Sequence, residues 1–171
     1  MIYNHGMKRL YNYLGEDITN RSRELSNPDF GIINDDGSIT VHWATESERV
    51  DSDGFDKTVR FGNDRYYEEV VLPTGLILCR YGQPTGMFTA IVGTPYECLA
   101  LPWKPESIPY MQYKVIADNL IVKLCVRKGI VAPMFSSKGG VIQFMHYHPI
   151  AVEVEDLRLL EEDWSWLKRK N

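Results

Sequence analysis

A chain of 171 residues suits one domain, large enough to bury a core without staples. Its formal charge of −4 lacks the basic balance of a nucleic-acid binder, and no apolar run approaches the roughly 18 residues that cross a bilayer, so neither nucleic acid nor membrane is an expected partner. The three cysteines, Cys79, Cys98 and Cys125, have no CxxC spacing and point to reduced, mostly buried thiols rather than a disulfide framework or a thiol zinc site.

The first residues, Met1 to Arg9, show no basic region followed by an apolar signal core. The chain is therefore read as made in the cytoplasm, and export would need a route without a cleaved signal. Residues 7–14 are expected to form a short helix, with Leu10 and Leu14 four apart and Gly15 ending it. Residues 20–37 are polar and turn-rich, and Asp36-Gly37 leads into a strand over 38–43. Residues 46–56 read as an exposed connection, 57–61 as another strand, and Gly62-Asn63-Asp64 as a bend. Residues 66–75 fit either a helical turn or an extended segment.

Residues 76–81 and 87–92 are short apolar runs bounded by Gly and Pro, as strands are. The proline-rich stretch 101–109 excludes a central strand or helix interior and is expected to be a surface loop anchored by an aromatic residue. Residues 110–116 and 120–126 would pair as a hairpin about Ala117-Asp118-Asn119. In a strand over 141–147, Val141, Gln143, Met145 and Tyr147 share one face, and Ile142, Phe144, His146 and His148 the other. Residues 156–170 carry Leu157, Leu160, Trp164 and Leu167 at helical spacing, with Lys168-Arg169-Lys170 at the end, so an amphipathic helix is expected to pack on the sheet or to dock a partner.

Few local patterns carry chemistry. His146 and His148 would project from one strand face and His42 could join them, but two sequence-local imidazoles fall short of the three or four ligands of a usual metal site, which favours structural histidines. The cysteines have no neighbouring histidine, no Gly-x-Ser-x-Gly elbow occurs, and Gly139-Gly140 matches neither phosphate-loop pattern. The pairs Glu68-Glu69 and Glu161-Glu162 read as solvated faces. The least generic stretch runs from Arg80 to Pro95, where a permanently charged fork of donors ends an apolar run and two Gly/Pro turns follow.

The ordered series Arg80-Tyr81-Gly82, Gly86-Met87-Phe88, Gly93-Thr94-Pro95-Tyr96, Ala100-Leu101-Pro102, residues 110–115, Ala132-Pro133 and Gly139-Gly140-Val141-Ile142-Gln143 resembles the TNT (tuberculosis necrotizing toxin) domain family of NAD glycohydrolases. The likeness spans roughly residues 72–144. It implies an α+β fold: a compact, mostly antiparallel β core with peripheral helices, including the C-terminal one. It divides a single domain 1–171 into an N-terminal extension (1–71), a catalytic core (72–148) and a C-terminal extension (149–171).

By the same resemblance the substrate is NAD or NADP, no cofactor is needed, and an immunity or inhibitor protein is an expected partner. Arg80 would hold the phosphates and take part in catalysis, with Tyr81, the aromatic residue of its motif, and Phe88 also binding substrate. Phe88 would pack on nicotinamide, and Gln143 would act beside the scissile ribose. One departure stands out: Leu99 occupies a position where the family commonly carries a second Arg, and Lys104, Lys138 and Arg127 are the candidate replacements. The same fold could instead serve a non-catalytic nucleotide-binding or protein-interaction module.

Overall fold

The apolar runs punctuated by Gly and Pro become strands, and their edges decide how the rest of the chain is used. In the computed structural model, residues 8–61 and 64–167 are described. Seven strands make one sheet: β3 (Tyr67–Val71), β4 (Ile77–Tyr81), β5 (Phe88–Ile91), β6 (Tyr110–Val115), β7 (Cys125–Ile130), β8 (Ile142–Met145) and β9 (Leu160–Asp163). Their order is β3-β7-β8-β5-β4-β6-β9, and every neighbouring pair is antiparallel. A separate hairpin of β1 (Gly31–Ile33) and β2 (Ile39–Val41) closes through Asn34 and Gly37, whose φ of 86° suits glycine.

Alternation along the strands gives the sheet two apolar faces. Leu78, Tyr113, Val115, Val126 and Phe144 form the larger cluster, covered by Ile150 of the short helix α1 (Ile150–Glu155). Cys79, Ala90 and Leu99 form a smaller cluster on which Tyr81, Tyr110 and Val141 pack. The candidate site lies against this second cluster. The β-rich, antiparallel expectation is met, but the helical content is smaller than expected.

The C-terminal helix expected over 156–170 does not form in its described part, and Lys168 to Lys170 lie outside the described residues. Asp156, expected near a helix start, instead ends α1 as its C-cap. Arg158 then takes a left-handed φ of 53°, and residues 160–163 pair with β6 as β9. The edge of β6 would otherwise leave a row of backbone donors and acceptors unpaired, and pairing them outweighs a helical stripe whose Leu157 and Trp164 remain exposed.

Two other expectations fail because side chains capture the backbone locally. In the described part of 7–14, Asn12 Oδ1 accepts the amides of Leu14 and Glu16 at 3.0 Å each, making a turn instead of a helix. Over 57–61, Asp56 Oδ1 accepts from the Thr58 amide and hydroxyl, and only an isolated bridge between Phe61 and Arg65 remains of the expected strand. Of the expected bend at Gly62-Asn63-Asp64, the first two residues lie outside the described residues.

The hairpin expected about residue 118 is also absent. β6 pairs β4 and β9, whereas β7 pairs β3 and β8, and Asp118 caps the connection by accepting from the amides of Leu120, Ile121 and Val122. Within 66–75, residues 67–71 resolve as β3, which pairs with β7, and a turn follows at 74–75. The 101–109 loop is less superficial than expected. Pro102, Trp103 and Ile108 are buried because residues 24–26 run beside it, with Ser26 N donating to Pro102 O at 2.9 Å and Lys104 N to Glu24 O at 2.8 Å.

Candidate functional site

A cleft of about 800 Å³ opens beside the smaller cluster, and Arg80, Tyr81, Phe88 and Gln143 all line it. The sheet brings them together through register. β4 and β5 pair with Cys79 opposite Ala90, and β5 and β8 pair with Phe88 opposite Met145. Gln143 stands two residues before Met145, on the face that alternation gives to the cleft, while Phe144 and His146 are buried behind.

Arg80 is held by the turn that follows it. Its Nε donates to Gln83 O at 2.7 Å and its Nη1 to Phe88 O at 3.0 Å. Two glycines make the room: a Cβ at Gly86 would lie 1.9 Å from Arg80 Nη2, and one at Gly82 3.1 Å. The turn is fixed from outside by α1, since Ile150 N donates to Gly86 O and Ala151 N to Pro84 O, both at 2.9 Å. Burial pushes the Arg80 pKa down, and no carboxylate among the described residues pairs with the guanidinium. A sequestered cation of this kind gains most from an anion that enters the cleft.

Phe88 is supported by a fully buried Phe55, edge-on with ring centroids 6.5 Å apart. Phe55 in turn fills the space over Gly129, where a Cβ would come within 2.6 Å of the ring. Gly129 pairs directly with Gln143 across β7 and β8, so one packing unit sets both residues.

The Gly-Gly step before β8 also has a physical cause. Gly139 and Gly140 have φ of 60° and 88°, and a Cβ at Gly139 would lie 2.3 Å from Val131 O. Gly140 N donates to Val131 O at 2.8 Å and Val131 N to Val141 O at 2.9 Å, which locks the entry to β8. The Gln143 amide makes no hydrogen bond to another described residue, leaving its donor and acceptor available to the cleft.

Tyr81 forms an aromatic wall with Tyr96 and Tyr110, at centroid distances of 4.8 and 4.7 Å, and burial pushes its hydroxyl pKa up so that the ring stays neutral. Cys79, behind it, is likewise pushed up to about 11 by burial and stays a thiol. All three cysteines are free; Cys79 and Cys98 are buried and Cys125 is exposed.

Leu99 is 6% exposed and packs with Cys79 and Ala90 at the cleft wall. None of the three expected replacement cations lines the cleft. Lys104 reaches Glu24 at 3.5 Å, and Arg127 lies 3.7 Å from Asp53 and over the Tyr67 ring. Among the described residues, the cleft cations besides Arg80 are Arg21 and Arg23, from a segment whose sequence reads only as polar and turn-rich.

Trp43, Asp51 and Asp53 also line the cleft and carry no local motif. Asp51 is buried and caps its own turn by accepting from the amides of Asp53 and Phe55 at 2.8 and 2.9 Å. The Asp53 pKa is raised by burial and by the charge of Asp51, with Arg127 opposing.

His146 has a structural use. His146 is fully buried, with Nδ1 2.6 Å from Glu153 Oε1 and Nε2 2.7 Å from Thr89 Oγ1. These two contacts tie α1 to β5 and β8. His148 is half-exposed and lies 3.7 Å from the other Glu153 oxygen, whereas His42 is exposed just after β2. Among the described residues no group of three His, Cys, Asp or Glu side chains is placed to hold a metal ion.

The arrangement offers a guanidinium without a carboxylate partner among the described residues, an aromatic wall and an uncommitted amide around one cleft. In comparisons with solved structures, the chain is similar to tuberculosis necrotizing toxin complexed with its immunity factor, at 18% identity and a TM-score of 0.50, covering 77% of this chain and 66% of that one. The chain thus spans slightly less than two thirds of that toxin chain. It is also similar to Rhs1-CT in complex with its cognate immunity protein, at 16% identity and a TM-score of 0.39, covering 57% of this chain and 76% of that one. No curated protein sequence gives a significant match. The family model described as tuberculosis necrotizing toxin matches residues 71–162, more than half of the sequence, running from the last residue of β3 to within one residue of the end of β9, and the chain therefore belongs to the TNT domain family.

Proposed function

We propose that this domain is an NAD(P)+ glycohydrolase that cleaves the nicotinamide–ribose bond, releasing nicotinamide and ADP-ribose, and that it acts as a toxin or effector. The observation that carries the proposal is the meeting of Arg80, Phe88 and Gln143 around one cleft, with Arg80 lacking a carboxylate partner among the described residues. In this reading Arg80 holds a phosphate, Phe88 stacks against the nicotinamide ring, Tyr81 adds to the apolar wall and Gln143 orients the ribose.

The chemistry suits such a site. Nicotinamide is cationic in NAD+ and departs as a neutral molecule with the electron pair of the broken C–N bond, so the leaving group needs little protonation. The oxocarbenium-like ribose then needs orientation and electrostatic support before water adds to it and loses a proton. A flanking carboxylate pair of the ordinary glycosidase kind is not required. No cofactor enters this scheme.

Because such an activity would harm a producing cell, a tight immunity protein is proposed as partner, in keeping with the immunity factor bound to the similar toxin. A second reading is favoured by Leu99: a cleft with apolar surface at that position could bind the nucleotide without turning it over. Incubation of purified protein with NAD+ separates the two. Nicotinamide release supports the hydrolase, and calorimetric binding without product supports the binding module.

A further inference from the structure

Arg23 is the second guanidinium in the cleft without a carboxylate partner among the described residues, and it lies outside the family match at 71–162. Its Cζ sits 4.4 Å from the centroid of the Trp103 ring. That platform is rigid: Trp103 is 7% exposed, and its carbonyl accepts the Tyr96 hydroxyl at 2.5 Å. The chain just after Arg23 is tied to the same loop, with Glu24 N donating to Ser107 Oγ at 2.9 Å and Lys104 N to Glu24 O at 2.8 Å. Stacking occupies the flat face of a guanidinium and leaves its edge of N–H donors open, the edge that takes a phosphate in a forked contact.

The other cation of this segment is already committed. Arg21 pairs with Glu24 at 2.7 Å and donates to Glu106 O at 3.2 Å. Leu99 adds only apolar surface to the cleft. We propose that Arg23, presented by Trp103, is a second phosphate-binding residue of this cleft and takes a phosphate group other than the one held by Arg80. The inference rests on the NAD(P)+ reading for the identity of the ligand. The phosphate is either the other half of the diphosphate or a 2′-phosphate on the adenosine ribose, and the two sources differ in which ligands feel the loss of Arg23.

Calorimetry on wild type, Arg23→Ala and Arg23→Lys tests this with three probes that contain no scissile nicotinamide bond: ADP-ribose, its 2′-phosphorylated form and inorganic pyrophosphate. Arg23 is exposed, so matched thermal midpoints are expected and confirm folding. Arg23→Ala should weaken binding about ten- to hundredfold, with Arg23→Lys recovering only part because lysine lacks the planar fork. Equal losses for the two ADP-ribose forms assign the contact to the diphosphate, and a loss confined to the phosphorylated form assigns it to the 2′-phosphate. Unchanged binding of both forms overturns the proposal, even if wild type and variant release nicotinamide equally well, in which case the enzymatic reading survives alone. Pyrophosphate binding that needs Arg23, without binding of either ADP-ribose form, keeps the anion contact and removes the dinucleotide reading. Failure of wild type to bind any probe overturns the Arg23 proposal, and the enzymatic reading then stands or falls on nicotinamide release.

Discussion

Gly86→Ala tests whether the turn around Arg80 exists to hold that side chain. The added Cβ would stand 1.9 Å from Nη2, 2.5 Å from Cζ and 2.9 Å from Nη1, so the guanidinium must retreat by about 1.5 Å to reach ordinary contact. A retreat of that size breaks the 3.0 Å bond from Nη1 to Phe88 O and turns the donor fork out of the cleft. Backbone strain is not involved, because Gly86 is not among the residues with positive φ. The obstructing atoms are also the end of a flexible side chain, which can swing toward water. Stability should therefore fall by only about 1 kcal/mol. Binding of NAD+ or ADP-ribose should fall by about 1.5–3 kcal/mol, the worth of a charge-assisted contact, or roughly ten- to a hundredfold. Calorimetry on wild type, Gly86→Ala, Arg80→Ala and the double variant reads this directly. The double variant should bind no more weakly than Arg80→Ala alone, since both changes remove the same contact. Wild-type affinity in Gly86→Ala, or additive losses in the double variant, would refute the assignment.

Three further outcomes follow from the packing and charge of the site. Gly129→Ala drives a methyl into the fully buried Phe55 ring, so urea denaturation should show a loss of about 1–3 kcal/mol, and nicotinamide release should fall with it because Phe55 supports Phe88; an unchanged denaturation midpoint would contradict this packing. Glu153→Ala leaves the buried His146 Nδ1 without its hydrogen-bond partner and should cost about 1–3 kcal/mol by the same measurement, whereas an unchanged denaturation midpoint would mean that the pair does not anchor α1. The Asp53 pKa is raised in the fold, so its ionisation opposes folding at pH above the folded value and has no effect below the ordinary carboxylate range. Thermal scans of Asp53→Asn should thus match wild type near about pH 3 and show a modest gain near about pH 7; a loss at the higher pH would mean that the Arg127 ion pair outweighs burial and the Asp51 charge.

The core strands were legible because their signals are local. The runs that became β4, β5 and β8 are bounded by Gly and Pro, and alternation along 141–147 put Gln143 and His146 on opposite faces. The ordered motifs around Arg80, Phe88 and Gln143 named residues that the fold brings to one cleft, although no spacing along the chain could show their proximity. The C-terminal segment misled because Leu157, Leu160, Trp164 and Leu167 satisfy a helical period, while what decides their conformation is the open edge of β6, more than forty residues earlier in the chain. Likewise, nothing near Arg23 in the sequence marks it as a cleft residue. It arrives there because residues 24–26 dock beside Trp103, a pairing between segments about eighty residues apart.

Nicotinamide release from NAD+ by purified wild type and by Gln143→Ala decides the proposed activity. The account predicts steady release by wild type, and a loss of about a hundredfold or more in Gln143→Ala at an unchanged thermal midpoint, since a positioned polar group beside developing charge is worth that much. No release by wild type, or equal release by the variant, would contradict it.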